Sequence, residues 1–118
     1  MDVLDIFRDA PNARAVPAGE PVFRRGEPGD VMYVVLEGLI EVSIDGHPVE
    51  RLEPGSIFGE MALVDASPRS ADAIAAVDSS LAPVDQAWFV YMIKRSPQFG
   101  LHVMSVMANR LRRYMTNA

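Results

Sequence analysis

The stretch Phe58-Gly59-Glu60-Met61-Ala62-Leu63-Val64-Asp65-Ala66-Ser67-Pro68-Arg69-Ser70-Ala71 decides how the rest of this chain is read. Gly59 lets the backbone turn without a Cβ, so Met61-Ala62-Leu63 can open one helical turn whose free N–H groups face an anion. Further on, Arg69 offers a planar fork of donors suited to phosphate oxygens, Pro68 stiffens the chain that presents it, and Ser70 adds a hydroxyl. Glu60 is out of place in a phosphate subsite, because a carboxylate repels phosphate. Its partner must be a hydroxyl or Arg69 itself.

A ligand with a singly charged phosphate at one end and a free sugar hydroxyl a short distance away satisfies both groups at once, and a cyclic nucleotide is such a ligand. The bland alternative is that Glu60 caps its own turn and pairs with Arg69 on the surface, with nothing bound. Upstream, short β-favouring runs broken by Pro and Gly suggest a sandwich or barrel: Arg14 to Val16, Val22 to Arg25, Val31 to Leu36, Leu39 to Ile44, Val49 to Leu52. Val31 to Leu36 is apolar throughout, which implies burial on both faces or a place in the barrel interior. Asp45-Gly46 predicts a hairpin turn with positive φ at both central residues. Val3 to Phe7, stopped before Pro11, reads as a short helix packed on the barrel edge. Downstream, strands follow through Ala73, Ala75 and Val77 and again from Leu81 to Val84, where Pro83 demands an edge strand or a non-bonded site. Asp85 caps a helix over 86–95 with Trp88, Phe89, Met92 and Ile93 inward, and Ser96-Pro97 starts a second helix.

Phe-Gly-Glu, two residues, Leu, then Pro-Arg-Ser-Ala resembles the phosphate-binding cassette of cyclic nucleotide-binding domains. Gly26-Glu27-Pro28-Gly29-Asp30, Tyr33-Val34-Val35-Leu36-Glu37-Gly38 and Leu52-Glu53-Pro54-Gly55-Ser56-Ile57 are similar to that family's β-roll, and Asn109-Arg110-Leu111-Arg112-Arg113 to its last helix. The resemblance spans roughly residues 4 to 115. It implies a mainly β fold, an antiparallel β-roll of the jelly-roll (double-stranded β-helix) kind with a short N-terminal helix and two C-terminal helices. One domain then fills 1–118: an N-terminal helix in 1–12, the roll in 13–85 with its cassette at 58–71, and C-terminal helices with a lid in 86–118. By motif match, Glu60 binds the ribose 2′-hydroxyl, Arg69 the cyclic phosphate, and the amides of Gly59, Ala62 and Ser70 add donors. The implied site is Gly59, Glu60, Met61, Ala62, Arg69, Ser70 and Ala71, with Asn109, Arg110, Arg113 and Tyr114 as base or lid contacts. Within the family, Ser at position 70 tilts the ligand toward cyclic AMP, whereas Thr would go with cyclic GMP. Asp72 departs from the family pattern. Strand alternation would place it on the face of Ser70, where it repels phosphate unless a bulge re-aims it.

The chain has 118 residues, room for one core, and no cysteine, which excludes disulfides and zinc–thiolate sites. The start carries Asp2 and Asp5 without a basic region, so no secretory signal is expected, and no apolar run approaches a membrane span. A cytoplasmic protein is expected, with no membrane partner. The net charge of −5 argues against nucleic acid as a direct partner. All sixteen acidic residues lie in 1–90, and 91–118 hold Lys94, Arg95, Arg110, Arg112 and Arg113 without an acid. That basic run could dock on an acidic partner or on the domain's own acidic body, and the expectation is a solvated face. His47 and His102 are too few for a metal site, and Ser67 and Ser70 lack a neighbouring base or a strained elbow, so neither metal, cofactor nor catalysis is expected. The functional expectation is a sensor whose ligand moves the C-terminal helices and so addresses a protein effector. The alternatives are a ligand-free interaction module on the same fold, or the sensor portion of a longer transcription regulator.

Overall fold

In the computed structural model, residues 2–116 are described, with side chains through Arg113. Eight strands, β1 (Arg14–Val16), β2 (Pro21–Phe23), β3 (Val31–Glu37), β4 (Ile40–Ile44), β5 (His47–Leu52), β6 (Ile57–Phe58), β7 (Asp72–Ala75) and β8 (Ser79–Asp85), form two antiparallel four-stranded sheets in the orders β1-β8-β3-β6 and β2-β7-β4-β5. Helices α1 (Val3–Phe7), α3 (Gln86–Arg95) and α4 (Pro97–Thr116) flank them, and the single turn α2 (Met61–Asp65) lies between β6 and β7. This is the antiparallel β-roll the family resemblance implies.

The unbroken apolar run of β3 organises two cores, because successive strand side chains point to opposite faces. Tyr33 and Val35 join Val16, Ile40, Leu52, Phe58 and Leu81 between the sheets. Met32 and Val34 point the other way, toward Phe7, Leu63, Phe99 and Val103. α1 therefore packs beneath the C-terminal helices rather than on the barrel edge. Phe7 is 1% exposed and sits 5.7 Å from the Trp88 ring and 5.6 Å from Phe99.

At the β4–β5 turn both Asp45 and Gly46 take positive φ, 52° and 80°, as the hairpin signal requires. Pro83 is not on an edge strand, since β8 pairs β1 on one side and β3 on the other. It occupies a non-bonded site instead: the β1 pairing stops at Arg14↔Leu81, and beyond it the Pro83 carbonyl accepts a hydrogen bond from Asn12 Nδ2 at 3.3 Å. β2 is shorter than its β-favouring run, ending at Phe23, where the register with β7 shifts. Asp85 Oδ1 accepts from the Trp88 N–H at 2.8 Å and starts α3 at Gln86. Among the described residues, no helix is long and apolar enough to cross a membrane.

Candidate ligand-binding site

The segment from Phe58 to Ala71 leaves β6, makes the short helix α2 and returns to β7, and Gly59 near its start meets the Arg69 side chain near its end. Gly59 turns the chain at φ 74°, a conformation that disfavours a Cβ, and a Cβ there would lie 2.7 Å from Arg69 Nη1. Arg69 therefore runs directly under the turn that precedes it by ten residues.

Arg69 is held by its backbone and by its fork. Its N–H donates to Glu27 O at 2.9 Å and its carbonyl accepts from the Gly26 N–H at 2.8 Å, while Glu27 Oε1 closes the same loop on the Arg24 N–H at 2.6 Å. Nη1 donates to Gly59 O at 3.0 Å and Nη2 to Val31 O at 2.8 Å. The guanidinium lies 4.2 Å from the Phe23 ring centre, a cation–π contact, and a Cβ on Gly29 would fall on the Arg69 Nε. That Nε is buried without a partner, and the residue is only 7% exposed. Burial pulls the guanidinium below its ordinary pKa, opposed by Tyr33, Asp30, Glu27 and Glu60. Both Nη atoms are thus bonded to carbonyls, while the covered Nε remains a donor without a partner, which costs free energy in a buried cation.

Glu60 occupies the N-cap position of α2, but its side chain makes no cap hydrogen bond. It is 4% exposed, and the ion pair that holds it is neither with Arg69 nor on the surface. Arg110, fifty residues on in α4, donates from Nη1 to Glu60 Oε1 at 2.6 Å, from Nε to Glu50 Oε2 at 3.2 Å and from Nη2 to the Ile57 carbonyl at 2.7 Å. Arg113 Nη1 adds 3.5 Å to Glu50 Oε1. Burial alone would lower the pKa of Arg110, but Glu60 and Glu50 outweigh it and hold the guanidinium above its ordinary value. The expected solvated basic face is therefore corrected at Arg110, which docks on the domain's own acids.

Between these groups lies a cavity of about 320 Å³, within the range of about 300–1,000 Å³ usual for small-molecule sites. Gly59, Glu60, Met61, Ala62, Arg69, Ser70 and Ala71 all line it. Of the lid candidates, Arg110 reaches it, while Asn109 and Arg113 line a separate groove between α4, α1 and the β5–β6 corner. The side chain of Tyr114 lies outside the described residues. Phe23, Val42 and Phe58 form the apolar wall from the roll, and Met107 and Leu111 the wall from α4. Sequence reading had Phe58 only as the first residue of the cassette and the other four not as site residues at all. Met107 and Leu111 are four apart on one helical face with Arg110 between them, a spacing that could have flagged them.

Asp72 is not on the cavity. Ser70 and Ala71 form a bend and β7 begins only at Asp72, so strand alternation does not carry across. The Asp72 carboxylate accepts from the Arg25 N–H at 2.8 Å instead. His47 contacts the backbone of its own hairpin, and His102 lies on the groove behind α4. Among the described residues, no three His, Cys, Asp or Glu side chains gather as metal ligands.

Comparison with known proteins gives the site its context. The profile of the family described as "Cyclic nucleotide-binding domain" matches residues 13–96. A cyclic nucleotide-gated potassium channel of Mesorhizobium japonicum is 47% identical over 96 residues, 81% of this chain and 26% of the channel. The crystal structure of Thermus thermophilus Catabolite Activator Protein superposes with a TM-score of 0.78 at 32% identity, over 86% of this chain and 50% of that one. A second structure, from work on a cyclic-GMP-dependent signalling pathway in bacterial phytopathogenesis, gives 0.79 at 30% identity, over 93% of this chain and 91% of its own. The chain spans between 26% and 48% of the length of the first three curated relatives it matches.

Proposed function

The chain belongs to the cyclic nucleotide-binding domain family, and from that premise we propose that it binds cyclic AMP in preference to cyclic GMP and signals through its last helix. The observation that carries the reading is one cavity flanked by a buried guanidinium with an unpartnered Nε and a buried carboxylate spared from capping. Arg69 takes the cyclic phosphate and Glu60 the ribose 2′-hydroxyl. The purine lies against Val42, Met107 and Leu111. Ser70, at the cavity edge, favours adenine mildly over guanine.

Transmission follows from who holds Glu60. Arg110 holds that carboxylate, so a ribose hydroxyl competes directly with α4 for it. Phosphate capture draws the α2 turn inward while the competition loosens one anchor of α4, and the helix repositions over the base. The size of the shift is bounded by the ligand's differential affinity for the two helix positions. The domain is read as a cytoplasmic sensor without catalysis, cofactor or resident metal, addressing a protein effector. An alternative is a ligand-free interaction module. The observation favouring it is that Glu60 and the Arg69 fork are both already bonded within the protein.

Titration calorimetry of wild type and Arg69→Ala with cyclic AMP, cyclic GMP and AMP tests the reading. Wild type should prefer cyclic AMP and neglect AMP. Arg69→Ala, which leaves the phosphate desolvated without a cation, should cost about 3–5 kcal/mol, two decades or more in affinity. Equal affinities for the two proteins would remove the phosphate role, and a silent wild type would leave the interaction module.

A further inference from the structure

Glu50 stands on β5 directly across from Val42 of β4, so its side chain reaches the wall of the nucleotide cavity without being part of the cassette. Its carboxylate is only 20% exposed and receives two cations, Arg110 Nε at 3.2 Å and Arg113 Nη1 at 3.5 Å. Arg110 thus sits between two acids from different parts of the roll, Glu60 from the cassette and Glu50 from the sheet. The Asn109–Arg113 turn of α4 touches the sheet through these pairs, with the open groove of about 580 Å³ on their far side.

We infer that Glu50 is a positioning residue that holds Arg110 as the pivot of α4 while Glu60 changes partner and the helix moves about that point. The inference rests on the nucleotide reading of the cavity. When a ribose hydroxyl claims Glu60, Arg110 would otherwise be a 16%-exposed cation left with the Ile57 carbonyl alone, and a buried unpaired charge is expensive. Glu50 removes that penalty by holding the same guanidinium through a different nitrogen. Its contribution is therefore larger with a nucleotide bound, where it is the remaining full counter-charge, than in the arrangement where it shares Arg110 with Glu60. Removing its charge weakens binding without touching the ligand. Because it acts through Arg110 and not on the base, the loss is the same for either purine.

The test is a double-mutant cycle with Glu50→Gln and Arg110→Met, reading calorimetric affinity for cyclic AMP and cyclic GMP and the unliganded melting temperature of all four proteins. Glu50→Gln should weaken both nucleotides alike, by about tenfold for a lost hydrogen bond to a charged group. In the Arg110→Met background the same change should alter affinity by less than about twofold. The unliganded melting temperatures should be non-additive in the same sense. A loss confined to one nucleotide would mean that Glu50 reads the base directly and would overturn the inference, as would an equal loss in both backgrounds or no loss at all. If wild type binds neither nucleotide, the function itself fails; non-additive melting temperatures would then leave Glu50 a structural partner of Arg110 and nothing more.

Discussion

Arg69 lies against both the Phe23 ring and the bare Cα of Gly29, so both neighbours set where its charge can be presented. A methyl at Gly29 occupies the space of the Nε, and the guanidinium must leave its carbonyl partners to make room. Gly29→Ala should therefore lower cyclic nucleotide affinity by about tenfold or more, the cost of a misplaced charge-assisted contact. The unliganded melting temperature should fall as well, because the displaced guanidinium gives up its bonds to the Gly59 and Val31 carbonyls, so the binding loss is read beside a melting curve. Glu60 behaves differently because its carboxylate has two duties. Glu60→Gln removes a charge-assisted acceptor worth about 1.5–3 kcal/mol to the ligand. The same substitution weakens the Arg110 pair, so the unliganded protein should also melt lower, and differential scanning calorimetry beside a binding titration separates the two effects.

Among the elements, α3 and α4 were legible nearly to the residue, for local reasons. Asp85 caps α3, and Pro97 at the first position of α4 tolerates a missing N–H. Asp85→Ala should lose about 1 kcal/mol of stability, the usual cost of an N-cap. It should leave nucleotide affinity little changed, because α3 contributes nothing to the cavity wall. The element misjudged by its pattern was α1. Apolar residues at helical spacing showed that it had to pack, but only the assembled core showed that Phe7 lies against both Trp88 and Phe99. The strand carrying Pro83 is another instance. Composition demanded a site without a hydrogen bond, and the length of β1 supplied one inside the sheet.

For the whole molecule, a ligand that binds the folded state raises its melting point by mass action. Cyclic AMP at one hundred times its dissociation constant should add about 2.7 kcal/mol and raise the midpoint by about 10 °C, with cyclic GMP doing less and AMP almost nothing at the same concentration. Differential scanning fluorimetry reads this directly. The shift should fall with Arg69→Ala by more than the change in unliganded stability.

Sequence alone determined the short strands and the turn at 58–71, because a glycine turn, a proline-stiffened arginine and strands punctuated by Gly and Pro act over a few neighbouring residues; that the strands close as a roll was what the family resemblance implied. Tertiary structure decided the partners. Arg110 was one of four lid candidates until the fold brought it to Glu60 across fifty positions, and Asp72 seemed to threaten the pocket until a bend after Ser70 turned it toward the Arg25 amide. Turn and strand preferences are local energies that a sequence displays. The choice of which buried charge meets which depends on desolvation shared among groups far apart in the chain, and that cost exists only once the chain has closed around them.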